Sequence, residues 1–262
     1  MACLIRLDQW LGRSVSGGFS RREGGVSQGV HHSLNVGFHV GDIEGDVQEN
    51  RALLACELNI EPSEMWFGEQ VHGHAVATVS RESRSDGPYH SIALVDGLVT
   101  SDEGIALGVL TADCVPLLFA DAVQGVIGVA HAGWRGATSG VVTQVVSKMM
   151  ELGAKTDSIR VAMGPAIRAC CYEVDTPVIR AAHSAYDRMG GRMPSWGKSA
   201  KHLGAVMMDL PKICRDELIS LGIHETHILD TSICTSCMPG FFSFRRDQGK
   251  TGRQAGLIRL GR

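Results

Sequence analysis

The residues best suited to chemistry sit in two short stretches, Thr111-Ala-Asp-Cys-Val-Pro116 and Val129-Ala-His-Ala-Gly-Trp-Arg-Gly136. Cys114 follows the apolar run Ile105-Ala-Leu-Gly-Val-Leu110, and His131 ends the run that starts at Gly125. A thiolate is a nucleophile or a soft metal ligand, and an imidazole is a base or a ligand. A third source lies upstream in Val71-His-Gly-His-Ala-Val76. On a strand, His72 and His74 share one face, so either could reach a site. His72, Cys114 and His131 together form a His2Cys set, which leaves a tetrahedral zinc one open position, the catalytic arrangement. The same atoms would serve a cysteine nucleophile with a histidine base, and spacing alone leaves both roles open. Beyond His131, the glycines at 133 and 136 and Arg135 precede a helical pattern. A helix N-terminus with an arginine there would suit an anion.

The elements that must position these groups follow from pattern. Runs of Val, Ile and Leu bounded by turn residues predict neighbouring buried strands over 105–110 and 125–130, bringing Cys114 and His131 to one sheet edge. A further strand is expected over 71–79, and a short one over 95–100 carries Asp96. Another, over 160–167, ends in Gly-Pro. Asp46-Val-Gln-Glu49 has a capping-box pattern and starts a helix through Arg51, Leu54 and Leu58, with Arg51 read as a solvated charge. Asp175-Thr-Pro177 starts a second helix. Asp209 caps a third, in which Leu210, Ile213, Cys214, Leu218 and Leu221 share a face and Gly222 marks the end. Residues 81–91 read as a surface loop and 189–200 as a mobile one. The tail, 241–247 and 251–260, mixes strand pattern with arginines. Strands and helices alternate irregularly. The expectation is an α+β fold, a single domain over 1–262 with mixed β-sheets and flanking helices rather than a doubly wound parallel sheet.

Composition narrows the function classes. The chain is 44% hydrophobic and 20% charged with a net charge of -3, which argues against a nucleic-acid binder. No run reaches the length of a membrane span and the start lacks a leader pattern, so a cytoplasmic protein is expected. Eight cysteines in such a chain read as thiols or metal ligands rather than a disulfide framework. Cys234 and Cys237 have metal or redox spacing without a second pair at a matching interval. The adjacent Cys170 and Cys171 look poorly suited to chelating one ion. All cysteines except Cys114 are therefore read as small buried hydrophobes or loop thiols.

Several motifs resemble one family nearly end to end. They include Gly18-Phe-Ser-Arg-Arg-Glu-Gly-Gly-Val26, Ser33-Leu-Asn-Val-Gly37, Glu49-Asn-Arg51, Gln70-Val-His-Gly73 and the two stretches above. Further on come Gly164-Pro-Ala-Ile167, Cys170-Cys-Tyr-Glu-Val174, Cys234-Thr-Ser-Cys237, Phe241-Phe-Ser-Phe-Arg-Arg246 and Thr251-Gly-Arg253. The chain resembles the YfiH-type laccase-domain proteins, described both as polyphenol oxidases and as purine nucleoside phosphorylases. The resemblance implies a mixed α/β fold shared with a group of cysteine hydrolases. It also implies zinc on His72, Cys114 and His131, the candidate catalytic residues. The implied activity is phosphorolysis of adenosine, inosine, guanosine or methylthioadenosine, with adenosine deamination as a side activity. The partners are thus a purine nucleoside and phosphate. Where the family often has tyrosine, this chain has Phe244.

Phosphorolysis needs phosphate aimed at the sugar C1′, and the candidates to hold it are Asn35, Arg51, Arg135 and Arg246. Deamination needs an acid, for which Asp113 or Glu173 could serve. Two alternatives use the same atoms. A cysteine hydrolase acting on an amide, as in cell-wall precursor editing, would use Cys114 with His131 or His72. A copper-dependent polyphenol oxidase would put copper in the His2Cys set, since Cu2+ binds such ligands tightly. The eleven histidines include one His-x-His, at His72 and His74, which counts against multicopper chemistry.

Overall fold

The apolar runs around Cys114 and His131 are continuous rather than alternating because the sheets they enter are covered on both faces. The computed structural model of the protein describes residues 3–85, 90–198 and 202–261. Among these, the strands begin with β1 (Leu4–Arg6), β2 (Val15–Ser20), β3 (Met65–Gly68), β4 (Val76–Thr78) and β5 (Ser91–Ile92). They continue with β6 (Gly97–Thr100), β7 (Ala106–Thr111), β8 (Val115–Asp121), β9 (Val126–Ala132) and β10 (Arg160–Met163). The last are β11 (Glu173–Val174), β12 (Gly197–Lys198), β13 (Val206–Met207), β14 (Ile228–Asp230) and β15 (Gln254–Leu260). The helices are α1 (Asp8–Leu11), α2 (Glu44–Leu58), α3 (Trp134–Ser139), α4 (Val141–Glu151), α5 (Thr176–Arg188) and α6 (Leu210–Ser220).

Two mixed six-stranded sheets form the centre, one ordered β1-β2-β15-β7-β3-β5 and the other β14-β10-β8-β9-β6-β4. Between them pack Phe19, Leu107, Val109 and Ile258 of the first sheet and Leu98, Leu118, Ile127 and Val129 of the second. The outer face of the first sheet, through Met65, Phe67 and Leu257, meets Leu54, Ala55 and Leu58 of α2. The outer face of the second, through Leu117, Phe119 and Val161, meets Val142, Val145 and Met149 of α4 and Ile213 of α6. The result is four layers, helix on sheet on sheet on helix. Leu117, Leu118 and Phe119 are each fully buried, and a side chain of that size stabilises the fold by about 1.5–3 kcal/mol. Mixed sheets with few helices agree with the expected architecture.

Several local expectations are corrected. The strand before Cys114 (β7) and the strand ending past His131 (β9) belong to different sheets. The element that brings Cys114 to His131 is β8, which starts at Val115 and pairs antiparallel with β9, Pro116 opposite His131. Residues 71–75 lie outside any strand, with a bend at 72–73, so His72 and His74 do not share a strand face; β4 begins only at Val76. Helix α2 begins at Glu44, with Asp46 in its first turn rather than at the cap, and ends as expected at Asn59 in a left-handed conformation. Pro177 at the start of α5 and the Asp209 cap on α6, accepting from the Lys212 amide at 3.4 Å, are both present. Of the tail, only 254–260 is a strand. In the two expected loops, residues 86–89 and 199–200 lie outside the described residues. No helix among the described residues is long and apolar enough to cross a membrane.

Candidate metal centre

Three chain segments meet where β9 ends. The donor atoms of His72, Cys114 and His131 all lie within 4.8 Å of one another. The two imidazole rings stand edge to face, centroids 4.8 Å apart. His131 is on the same side of β9 as Ile127 and Val129, by the two-residue period of a strand, so it points to the space between the sheets. His72 sits in a turn with φ of 61° and Asp113, just before Cys114, has φ of 94°. Left-handed backbone at non-glycine residues costs on the order of 1–3 kcal/mol and must be held by its surroundings.

Asp96 holds the first of these turns. Its carboxylate accepts from the amides of Val71 (3.2 Å), His72 (3.0 Å) and Gly73 (2.7 Å). It also meets Nδ1 of His131 at 2.8 Å. One buried carboxylate therefore places both histidines and, by accepting a hydrogen bond from Nδ1–H of His131, directs Nε2 to coordinate. The second turn is held by Asp113 itself, which accepts from the Thr235 hydroxyl at 2.6 Å and the Arg245 amide at 2.6 Å. Gly133 closes the centre from the third side. A Cβ there would lie 2.8 Å from Cδ2 of His72 and 3.1 Å from Cys114 Sγ, so no side chain fits.

Electrostatics favour charge separation. Burial pushes the Cys114 thiol up, but the His131 imidazolium beside it and hydrogen bonds from both histidines bring it to about 6. Burial lowers the His131 imidazole, while the Cys114 thiolate and the bond to Asp96 raise it to about 9. The two shifts run in the direction that favours thiolate beside imidazolium. A thiolate flanked by two imidazoles is a donor set of the kind zinc takes with three protein ligands, so the residues present fit that ion.

These three residues line a cavity of about 740 Å³, within the range of small-molecule sites. Arg51 lines it too, buried rather than solvated: Nε donates to the Val36 carbonyl at 3.0 Å, and the guanidinium stacks between Phe38 (4.4 Å) and Phe67 (4.2 Å). Burial depresses its pKa to about 9. Arg253 faces the same cavity and is also depressed by burial. Among the described residues, neither arginine has a carboxylate within salt-bridge distance. Burial and these two cations likewise lower His39 beside them.

The other sequence candidates lie elsewhere. Asn35 is fully buried and structural: its carbonyl oxygen accepts from the amides of Gly37 (3.1 Å) and Arg253 (2.8 Å), and its amide donates to Asp42 at 2.8 Å. It fixes Arg253 but does not line the cavity. Arg135 is exposed and lies over the Trp134 ring at 4.3 Å. Arg246 spends its guanidinium on the carbonyls of Thr235, Met238 and Phe241 and on Asp247; its neighbour Arg245 lines the cavity instead. As for the candidate acids, Asp113 is engaged as described, and Glu173 binds His202 outside the cavity lining. His74 is not among the clustered ligands. Phe244, in place of tyrosine, does line the cavity. Asp96, His39, Arg253, Arg245 and Tyr172 are not among the sequence candidates, although Arg253, Arg245 and Tyr172 lie inside the motifs Thr251-Gly-Arg253, Phe241-Phe-Ser-Phe-Arg-Arg246 and Cys170-Cys-Tyr-Glu-Val174. The reading of Cys170, Cys171, Cys234 and Cys237 as small buried hydrophobes or loop thiols is also corrected, because their sulfurs gather in one place.

Comparison with known proteins shows the family to which the chain belongs. The chain is 38% identical over 253 residues to a protein named purine nucleoside phosphorylase YlmD from Geobacillus stearothermophilus, covering 92% of this chain and 88% of that one. It is 34% identical over 251 residues to a protein named adenosine deaminase RL5 from an unknown prokaryotic organism, covering 92% and 93%. The fold matches the crystal structure of the Bacillus licheniformis hypothetical protein YfiH with a TM-score of 0.89 and 33% identity, over 99% of this chain and 97% of that one. Residues 16–261 match the sequence profile described as multi-copper polyphenol oxidoreductase laccase, and with these relatives the chain belongs to that laccase-like family of YfiH-type proteins.

Proposed function

We propose that the protein is a zinc-dependent purine nucleoside phosphorylase that accepts adenosine, inosine, guanosine and methylthioadenosine, with adenosine deamination as a minor activity. The observation that carries this reading is the pair Arg51, buried, and Arg253, half-buried, in the cavity that holds His72, Cys114 and His131, neither with a carboxylate within salt-bridge distance among the described residues. A buried guanidinium without a counter-ion is costly, and a bound anion removes that cost. Phosphate held there would attack the sugar C1′ as the glycosidic bond breaks and its electron pair leaves with the purine. Phe38, Phe244 and Tyr172 offer the apolar walls that a purine needs. Asp96 keeps His131 in one tautomer. Zinc held by His72, Cys114 and His131 would supply Lewis acidity at the cavity floor. The names of the relatives support the reading, and a cytosolic setting that keeps the eight thiols reduced fits it.

The test is release of free base from inosine with and without phosphate, on protein as purified and after chelation. Release should require both phosphate and the metal. Arg51→Met and Arg253→Met should each raise the phosphate KM about tenfold to a hundredfold, the loss of one charge-assisted contact, and keep the metal content. Base release at equal rate without phosphate would sink the proposal.

One observation favours a second reading. Asp96, His131 and Cys114 form a continuous chain of the kind that activates a cysteine nucleophile. A hydrolase of this kind would survive chelation and die on thiol alkylation. It has no need of His72, which is why the metal reading is preferred. Copper in the same His2Cys set would give weak phenol oxidation, and metal analysis separates the two ions.

A further inference from the structure

Away from the cavity floor, two loops run side by side. Ala166 and Cys234 pair as a parallel bridge, with the Ala166 amide donating to Ile233 and the Thr235 amide to Ala166, both at 3.1 Å. Past Ala166 the chain turns tightly, the amides of Cys171 and Tyr172 both donating to the Arg168 carbonyl at 2.8 Å. Past Cys234 it turns again, Met238 donating to Cys234 at 3.1 Å. Each turn carries two cysteines, and all four sulfurs lie within 4.8 Å of one another. Cys170 and Cys171 point to Cys237 at 3.5 and 3.3 Å. The tight turn is what makes adjacent cysteines converge.

These distances discriminate between the uses of four thiols. A disulfide has a sulfur separation of about 2.05 Å, and the contacts above are far longer. A multi-iron cluster puts its own inorganic core between thiolates on different irons and spreads them. A single tetrahedral ion with bonds of about 2.3 Å sets its thiolates about 3.8 Å apart, the edge of that tetrahedron. The two closest contacts, 3.5 and 3.3 Å, are a little shorter than this edge, and all four sulfurs stay within 4.8 Å of one another. An all-sulfur shell selects a soft or borderline ion, and four protein ligands leave no open position.

We propose that Cys170, Cys171, Cys234 and Cys237 form a second metal site, a closed tetrathiolate zinc that clamps the 168–172 turn to the 234–238 turn. The clamp lies directly behind the cavity wall. Tyr172 follows Cys171 and lines the cavity, and Arg245 reaches the carbonyls of Cys171 (3.5 Å) and Glu173 (3.1 Å). Thr235 follows Cys234 and holds Asp113, the residue before Cys114. The ion therefore fixes a wall of the site without touching substrate. The inference is independent of the reaction proposed above.

The experiment is zinc stoichiometry on the full chain, purified under reducing conditions without added metal. Wild type should carry about two ions per chain, Cys237→Ser about one, Cys114→Ser about one, and the double variant none. Cobalt reconstitution of Cys114→Ser should give the intense thiolate-to-metal charge-transfer bands of several sulfur ligands. A wild-type measurement guards against a variant that fails to fold. Cys170 and Cys237 are exposed, so as free thiols they would alkylate at once, whereas in the site they should react only after a chelator strips the metal. Immediate alkylation, a disulfide mass among the four, or equal zinc content in wild type and Cys237→Ser would each overturn the proposal.

Discussion

Asp96→Asn is the sharpest probe of the centre, because one change alters two ligands without touching either. One carboxylate oxygen serves the His72 amide and Nδ1 of His131; the other serves the amides of Val71 and Gly73. An amide has one acceptor oxygen. Turned one way, it keeps Val71 and Gly73 but sets its NH2 against the His72 amide and His131 Nδ1. Turned the other way, it keeps those and opposes Val71 and Gly73. The second orientation loses two of the four bonds, while the first loses the His72 one and reverses the His131 one; each bond to the charged acceptor is worth about 1.5–3 kcal/mol. The first orientation also makes Nδ1 of His131 an acceptor, moving the ring proton to Nε2, the nitrogen a metal needs. Loss of such a partner weakens metal binding about tenfold to a hundredfold. Competition against a chromophoric chelator would measure it, with thermal unfolding of the metal-free proteins as control. If the variant binds zinc within about twofold of wild type, Asp96 does not orient the ligands and the reasoning is wrong.

Gly133→Ala should keep the circular dichroism of the wild type but lose most of its His2Cys-bound metal, since the new methyl takes the space of the His72 ring and Cys114 sulfur. Arg135→Ala should leave the phosphate KM unchanged, because the side chain is exposed and does not line the cavity; a tenfold rise would return it to the phosphate site. Arg246→Ala should instead cost stability, about 2–4 kcal/mol for a guanidinium bonding three carbonyls and Asp247, as read by urea unfolding. Acid titration reports on Asp230. Burial raises its pKa, but the bonds from Arg168 outweigh this and hold it below the usual carboxylate range. A depressed carboxylate stabilises above its unfolded pKa of about 3.9, and that contribution disappears as pH falls through the folded value. Urea unfolding of Asp230→Asn should therefore depend less on pH below about pH 4 than wild type.

What the sequence revealed depended on how local each interaction is. Cys114 and His131 stood out because each sits in a dense motif beside an apolar run. Asp96 carried no such mark: its partners are the turn at 71–73 and a ring on β9, so only the folded chain shows four donors converging on it. Arg51 read as solvated because a helix face says nothing about Phe38 and Phe67, which close over it from other segments. Adjacent arginines at 245 and 246 cannot be told apart by pattern, since the turn geometry decides which faces the cavity. Apolar runs located β7 and β9 correctly, yet their division between two sheets was hidden, because the chain crosses from one to the other at Cys114 itself. The tetrathiolate was obscured by a rule of thumb about neighbouring cysteines that a tight turn defeats.

The position of β15 bears on the order in which the molecule can assemble. It lies inside the first sheet, hydrogen-bonded to β2 on one side and β7 on the other. All three candidate ligands, His72, Cys114 and His131, are made by the time His131 leaves the ribosome, and the hairpin of β8 and β9 needs only local pairing. The first sheet, by contrast, stays in two halves until Leu260 has emerged. Its closure joins segments from opposite ends of the chain, the kind of non-local pairing that slows folding. A nascent chain thus presents its thiol and imidazoles, with the inner face of one sheet uncovered, well before Arg253 and the rest of the far wall arrive.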